Sequence, residues 1–175
     1  VALPVVITAE SLKLDSIYVV SSIINTQPNT IQTDISSLSI TDSGSIDIDD
    51  FDVIDIETLS TNGLVSITAD EVSSTSALVS SGTLALTAVN GDINLSGNNE
   101  LSGELSLITS VTNDVSLVNT KETKLHSVFT RDVTITATCT TADIHQTAAG
   151  TVESVGLATL HTSGNITLAN ATNNI

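Results

Sequence analysis

The sequence predicts an all-β fold in which short parallel strands coil into a β-solenoid. Three observations predict it: a composition of strand and turn formers, a recurring turn-then-strand unit, and a coil-length spacing between equivalent apolar positions. Aromatic residues make up 2% of the chain and Met and Trp are absent, so Val, Ile, Leu and Ala must form the core. Thr, Val and Ile favour strands, whereas Asn, Asp and Ser favour turns.

The recurring unit is a turn residue followed by alternating apolar and polar residues. Such alternation is typical of a strand with one buried face, and no window of comparable length sustains the helical period. Five instances are residues 44–48, 91–95, 113–117, 131–135 and 164–168. We therefore predict strands and turns throughout the chain.

The spacing of the apolar positions indicates which kind of β protein this is. Ile46, Val65, Leu84 and Leu105 advance by 19, 19 and 21 residues (65−46, 84−65, 105−84). This advance is the length of one solenoid coil, about 20 residues. We expect successive coils to stack these aliphatic side chains above one another in the core.

A longer period is superimposed on the coils. The tripeptide 7–9 recurs at 67–69 and again at 135–137, and the second offset (135−67) is about 70 residues. Ile46 and Ile48 match Val115 and Leu117, and residues 82–86 and 91–95 return as 156–160 and 164–168. A composite repeat of about 70 residues, roughly three and a half coils, is predicted. We expect residues 1–175 to form one array, either a segment of a longer chain or a polymerising subunit.

Charge limits the possible partners. Four Lys and Arg residues oppose 20 Asp and Glu residues, which gives a formal net charge of −16. Phosphate backbones and anionic lipids are bound by clustered basic residues, so we expect neither nucleic acid binding nor direct membrane insertion. Such a surface favours solubility and attracts divalent cations.

Residues 143–147, 152–160 and 164–174 resemble the repeats of filamentous-haemagglutinin-like large exoproteins, and so do residues 91–103 and 113–117. The likeness extends over about residues 37–175 and consists of strands that end in Leu before an Asn-rich turn. It implies a right-handed parallel β-helix, export to a bacterial cell surface, and a structural or adhesive role without catalysis. The expected partners are other copies end to end, flanking repeats of the same chain, or a host or matrix surface.

The most acidic segment, residues 47–57, is a candidate calcium site. If the alternating Ile residues face inward, Asp47, Asp49, Asp55 and Glu57 project outward on neighbouring strands. Ca²⁺ prefers carboxylate oxygens and would relieve their repulsion. The glycine-rich nonapeptide of calcium-binding β-rolls is absent, so a solvated acidic face that discourages aggregation is the alternative. No other cofactor is expected.

Two further sets of residues have repeat-like spacing. His126, His145 and His161 are 19 and 16 residues apart and could stack to bind a transition metal, although irregular spacing favours surface positions. Thr134, Thr136 and Thr138 alternate with core residues as in an ice- or crystal-binding ladder, but the matching strand around Ile67 offers only Ser66 and Thr68.

The single cysteine and the few aromatic residues weigh against other functions. Cys139 continues the alternation of Val133, Ile135 and Ala137, so we place it on the core face. A β-helical polysaccharide lyase or hydrolase is the catalytic alternative. Glycosidase chemistry needs a carboxylate pair in a cleft, and sugar sites usually add aromatic platforms. The only aromatic residues are Tyr18, Phe51 and Phe129.

Overall fold

The computed structural model describes residues 6–15, 30–43 and 46–175, and within these ranges every regular element is a β-strand. The strands are β1 Val6–Asp15, β2 Thr30–Ser43, β3 Ile46–Asp50, β4 Val53–Thr61, β5 Val65–Ala69, β6 Glu71–Ser74, β7 Val79–Ser80, β8 Leu84–Ala88, β9 Ile93–Leu101, β10 Glu104–Ile108, β11 Val115–Asn119, β12 Thr123–Thr130, β13 Val133–Ala137, β14 Ile144–Ser154, β15 Ala158–Thr162 and β16 Ile166–Thr167.

The strands pair in parallel and form three stacks around a common core. Stack one contains β3, β5, β8 and β10, and it continues into the second halves of β12 and β14. Stack two contains the start of β4, then β6, the start of β9, β11, β13 and β15. The shorter stack three contains the end of β4, β7 and the end of β9. The chain crosses the stacks in turn, which makes a β-solenoid of about 6 turns with coils of roughly 21 residues.

The predicted coil spacing is confirmed by the strand register. Ile46 pairs with Val65, Val65 with Leu84, and Leu84 with Leu105, so the four anchors lie above one another in stack one. β3, β5 and β8 share the same alternating pattern of buried and half-buried residues. The core is a continuous column of aliphatic side chains, because a strand directs alternate residues to opposite faces.

Two fully buried asparagines tie neighbouring coils together inside the solenoid. The Asn99 Oδ1 atom accepts the Leu78 N–H at 2.9 Å, and its Nδ2 donates to the Val118 carbonyl at 2.9 Å. Asn119 lies directly opposite Asn99, and its side chain accepts from the N–H and donates to the carbonyl of Leu101, both at 2.9 Å. These amides satisfy backbone groups where the chain leaves the strand ladder.

The turn that leads into stack one depends on glycines. A Cβ atom added to Gly103 would lie 1.9 Å from the Gly82 carbonyl oxygen, and one added to Gly82 would lie 1.9 Å from the Gly63 carbonyl oxygen. Successive turns therefore approach each other more closely than any side chain allows.

Candidate functional surface

A groove of about 500 Å³ lies on the outside of stack three and spans four successive coils. We call it the serine groove, and its lining is mainly hydroxyl- and amide-bearing. The lining residues are Ser60, Thr61, Asn62, Val79, Ser80, Ser81, Glu100, Ser102 and Lys121.

The register of stack three positions these side chains. Ser60 pairs with Val79, and Val79 pairs with Glu100, so the three form one outward column. The Lys121 Nζ atom lies 3.1 Å from the Glu100 Oε2 atom and extends the column by one coil. Both charged side chains are about half exposed, so the pair is solvated and contributes little to stability. The groove thus offers hydroxyl groups, one exposed Val and one neutralised charge pair.

A second groove of about 310 Å³ lies near the C-terminal end of the solenoid. We call it the alanine groove, and it is lined by Gln146, Thr147, Ala148, Ala169, Asn170 and Ala171. Gln146 stabilises this groove, because its Oε1 accepts the Asn170 N–H at 3.0 Å and its Nε2 donates to the Gly150 carbonyl at 2.8 Å.

A column of mixed charge crosses three successive coils. Glu104 pairs with Lys124, and Lys124 pairs with His145. Glu122 lies within 3.2 Å of the His145 ring and 3.7 Å of the Lys124 ammonium group. Acidic side chains thus accompany the basic ones along this column, so it does not form a basic patch.

The three histidines do not stack on one face. His145 lies opposite Lys124, whereas His161 pairs with Thr136 in stack two and is exposed. His126 instead contacts the Thr147 hydroxyl at 3.0 Å and lies 3.8 Å from Glu104. The three histidines occupy different positions within their coils, and the expectation of surface positions is confirmed.

The four predicted calcium ligands do not converge. Asp47 and Asp49 lie on β3 in stack one, whereas Asp55 lies on β4 in stack two and Glu57 follows it. β3 and β4 are consecutive along the chain but do not pair, so the two pairs of carboxylates are not on adjacent strands as expected. Across residues 6–15, 30–43 and 46–175, no group of three or more His, Cys, Asp or Glu residues is arranged to hold a metal ion.

The threonine ladder extends differently from the prediction. Thr134 pairs with Ser116 and Thr159, and the same outward row continues to Asn94 and Ser73. The neighbouring row contains Val118, Thr136 and His161. The strand around Ile67 belongs to stack one, so it does not lie beside Thr134. One hydroxyl and amide row is present, without a regular second row beside it.

The corner between stacks one and two carries stacked carboxylates. The Asp114 N–H donates to Asp92 Oδ1 at 2.8 Å, and the Leu157 N–H donates to Asp132 Oδ1 at 2.7 Å. Arg131 donates from Nη2 to Asp114 Oδ2 at 2.6 Å, and this hydrogen bond raises the pKa of the guanidinium group above its usual value. Backbone N–H groups and one arginine thus offset the repulsion between neighbouring coils.

Cys139 is partly buried and packs against the core just after β13 ends. Its predicted core placement is therefore confirmed in part. A hydrogen bond from the Thr141 backbone lowers the pKa of the thiol, since it stabilises the thiolate more than the thiol.

A family model described as "Repeats of unknown function (DUF5649)" matches residues 43–108 and again residues 112–175. The chain belongs to this family. No curated protein and no solved structure matches the chain. In the part of the chain that the structure describes, no helix is long and apolar enough to span a membrane.

The two DUF5649 repeats start at residues 43 and 112, which agrees with the composite period of about 70 residues predicted from the sequence. At this offset (112−43) β3 of the first repeat corresponds to β11, and β5 corresponds to β13. Strands of stack one in the first repeat thus correspond to strands of stack two in the second. Since a coil crosses three stacks, each DUF5649 repeat advances by three coils and one stack.

The two grooves do not lie at equivalent positions of the two repeats. The Leu78 N–H donates to Asn99 Oδ1 in the first repeat, and the Val152 N–H donates to Asn173 Oδ1 in the second. Val79 and Glu100 of the serine groove therefore correspond to Glu153 and Asn174, which also pair with each other. Sequence analysis missed the serine groove, although Ser60, Ser81 and Ser102 recur at equal intervals (81−60 and 102−81) of one coil.

Proposed function

We propose that this protein is a non-catalytic structural and adhesive rod, exported to a bacterial cell surface in the manner of filamentous-haemagglutinin-like exoproteins. The observation that carries the proposal is the continuous aliphatic core. Each coil packs on the next through fully buried side chains such as Ile48, Ile67 and Leu86. A solenoid of this kind resists bending, so it can act as a rigid spacer between the structures attached to its two ends.

The adhesive contact is assigned to the serine groove, and its ligand is a hydroxyl-rich polymer such as a polysaccharide. Ser81 and Ser102 offer hydroxyl groups on successive coils about 4.8 Å apart, the spacing of hydrogen-bonded strands, and Ser60 adds a hydroxyl group in the column of Val79 and Glu100. Val79 is 44% exposed beside Ser60 and suits the C–H face of a sugar ring. The Glu100–Lys121 pair is neutral as a unit and does not repel an uncharged chain.

The residues that line the serine groove also support a non-catalytic role. Glycoside hydrolysis requires two carboxyl groups that flank the bond. The lining of the serine groove includes one carboxylate, Glu100, which is held in an ion pair with Lys121. No aromatic side chain lines either groove, so each contact is weak and retention depends on many repeats acting together.

The rotation between repeats favours adhesion over ice or crystal binding. A crystal plane requires matching side chains on one flat face, whereas the DUF5649 repeat moves its features by one stack at each copy. A soft matrix surrounds a rod and can contact it from several sides. Repeats that rotate suit such a matrix.

The test is retention of beads that carry the purified chain on surfaces coated with a panel of neutral polysaccharides under flow. We expect retention on at least one surface, reduced at least tenfold by Ser81→Glu, which replaces a hydroxyl group of the groove by a larger, charged carboxylate. Ser116→Glu is the matched control, because Ser116 lies on stack two away from the groove. Equal loss with both variants, or no retention of the parent chain on any polysaccharide, would refute the adhesive assignment.

A further inference from the structure

Two Asn-Gly pairs lie in turns of the first DUF5649 repeat. Asn62–Gly63 connects β4 to β5, and Asn90–Gly91 connects β8 to β9. An asparagine that precedes glycine can deamidate without an enzyme, because a glycine without a Cβ lets its nitrogen reach the asparagine side chain. Both asparagines are exposed, so water reaches each pair. The surroundings of the two pairs therefore decide which one reacts.

Asp70 holds the Asn90–Gly91 pair in an unreactive arrangement. The Asn90 Nδ2 atom donates to Asp70 Oδ1 at 2.6 Å, and the Gly91 N–H donates to the Asp70 carbonyl at 2.7 Å. The first hydrogen bond fixes the amide that would be attacked, and the second occupies the nitrogen that would attack. The Asp70 carboxylate also opposes the negative charge that develops on this nitrogen and then on the amide oxygen.

Asn62 is not held in this way. Within the part of the chain that the structure describes, its side chain has no hydrogen-bond partner. The Gly63 N–H donates to the Thr61 hydroxyl oxygen at 3.1 Å. This contact is longer than the one that holds Gly91 and lies within a single turn, so it can break without separating two coils.

We propose that Asn62 is a site of spontaneous deamidation in the serine groove, which it lines. The Gly63 nitrogen loses its proton to solvent and attacks the Asn62 Cγ atom. The Cγ–Nδ2 bond breaks, and the amide nitrogen takes up a proton and leaves as ammonia. Water then opens the resulting succinimide ring at either carbonyl, which yields aspartate or isoaspartate. Water is the only co-reactant, and nothing is oxidised or reduced.

Either product changes the serine groove. Each one replaces a neutral amide by a carboxylate in a lining where the charges of Glu100 and Lys121 cancel. Isoaspartate also lengthens the backbone by a carbon atom at a turn without spare room, because a Cβ on Gly82 would lie 1.9 Å from the Gly63 carbonyl oxygen. The effect on adhesion rests on the proposed function, whereas the reaction at Asn62 does not.

The experiment incubates the purified chain in mildly alkaline buffer, both folded and in urea, and follows each asparagine by mass spectrometry. Cleavage after glutamate places the two asparagines on separate peptides, residues 58–71 and 72–100. In the folded chain we expect Asn62 to deamidate at least about tenfold faster than Asn90, because Asn90 must first break its hydrogen bonds to Asp70. In urea the two rates should be similar. Equal rates in the folded chain, or no reaction at Asn62, would overturn the proposal.

Two variants test the cause and the consequence of this difference. Asp70→Ala removes the carboxylate that binds Asn90, so deamidation of Asn90 in the folded variant should accelerate by about fivefold while the rate at Asn62 is unchanged. An unchanged rate at Asn90 would contradict the role of Asp70. Asn62→Gln cannot close the five-membered ring, so aged beads that carry it should keep the retention that aged parent beads lose. Deamidation at Asn62 with unchanged retention counts against the proposed function alone.

Discussion

Asn99→Ala tests whether the internal asparagines hold successive coils together. The Asn99 side chain is fully buried and accepts the N–H of Leu78, which is itself fully buried. Its Nδ2 group lies 2.9–3.1 Å from the carbonyls of Leu95, Gly97 and Val118. A buried N–H without a partner costs about 1–3 kcal/mol, and each further hydrogen bond contributes about 1 kcal/mol net. We therefore expect the free energy of unfolding to fall by about 3 kcal/mol.

Urea unfolding followed by far-ultraviolet circular dichroism measures this loss. Asn94→Ala is the control, since Asn94 lies on the same strand, β9, but is exposed, and its replacement should change stability by less than about 0.5 kcal/mol. Repeat arrays can unfold in parts, so amide exchange at Leu78 provides a local measurement of the same interaction. If the two variants are equally stable and exchange at Leu78 is unchanged, the asparagines do not act as ties between coils.

Three other predictions concern a turn glycine, the single cysteine and the candidate calcium ligands. Gly103→Ala should lower the free energy of unfolding by about 2 kcal/mol or more in a thermal melt, because its Cβ would lie 1.9 Å from the Gly82 carbonyl oxygen. The control Ser102→Ala should change the free energy of unfolding by less than about 0.5 kcal/mol. Alkylation of Cys139 by iodoacetamide should reach half its maximal rate at a lower pH in the folded chain than in the urea-unfolded chain, since the fold lowers the pKa of the thiol. The lowered pKa stabilises the fold at pH values above the ordinary thiol pKa, and this contribution is lost as pH falls through the lowered pKa; an equal or higher midpoint in the folded chain would contradict the Thr141 contact. Millimolar Ca²⁺ should shift the unfolding midpoint no further than Mg²⁺ at equal ionic strength, because the predicted ligands lie on two stacks; a selective upward shift would support the calcium site.

The coil architecture could be predicted from the sequence because one physical constraint repeats in every coil. Each coil must place apolar residues above those of the coil before it, so Ile46, Val65, Leu84 and Leu105 reveal the spacing directly. The period of the DUF5649 repeat was predictable for the same reason. The stack on which a motif lies was not predictable, because the strands around Ile67 and Ile135 share the tripeptide Ile-Thr-Ala but belong to stacks one and two.

The surface was harder to predict because outward residues obey no such constraint. Asp49 and Asp55 are close in the sequence, but a corner of the coil at Asp50–Val53 separates their stacks. Asp50 belongs to the same acidic segment but is buried, and it accepts hydrogen bonds from the N–H groups of Ile35 and Asp52. This carboxylate is part of a turn, and periodicity cannot distinguish it from its solvated neighbours.

The rotation between repeats explains how a degenerate repeat can keep its core while its surface varies. Ile46 and Ile48 correspond to Val115 and Leu117, which remain buried and aliphatic, whereas the outward pair Val79 and Glu100 corresponds to Glu153 and Asn174. Every inward position must fit the same stacked core on whichever stack it falls, so its chemistry is restricted. An outward position meets new neighbours after each one-stack advance, so an ion pair such as Glu100–Lys121 need not recur. Repeats that rotate therefore do not stack their acidic residues in one uniform row along a single face. In a chain of net charge −16, such a row would be destabilised by repulsion between neighbouring coils.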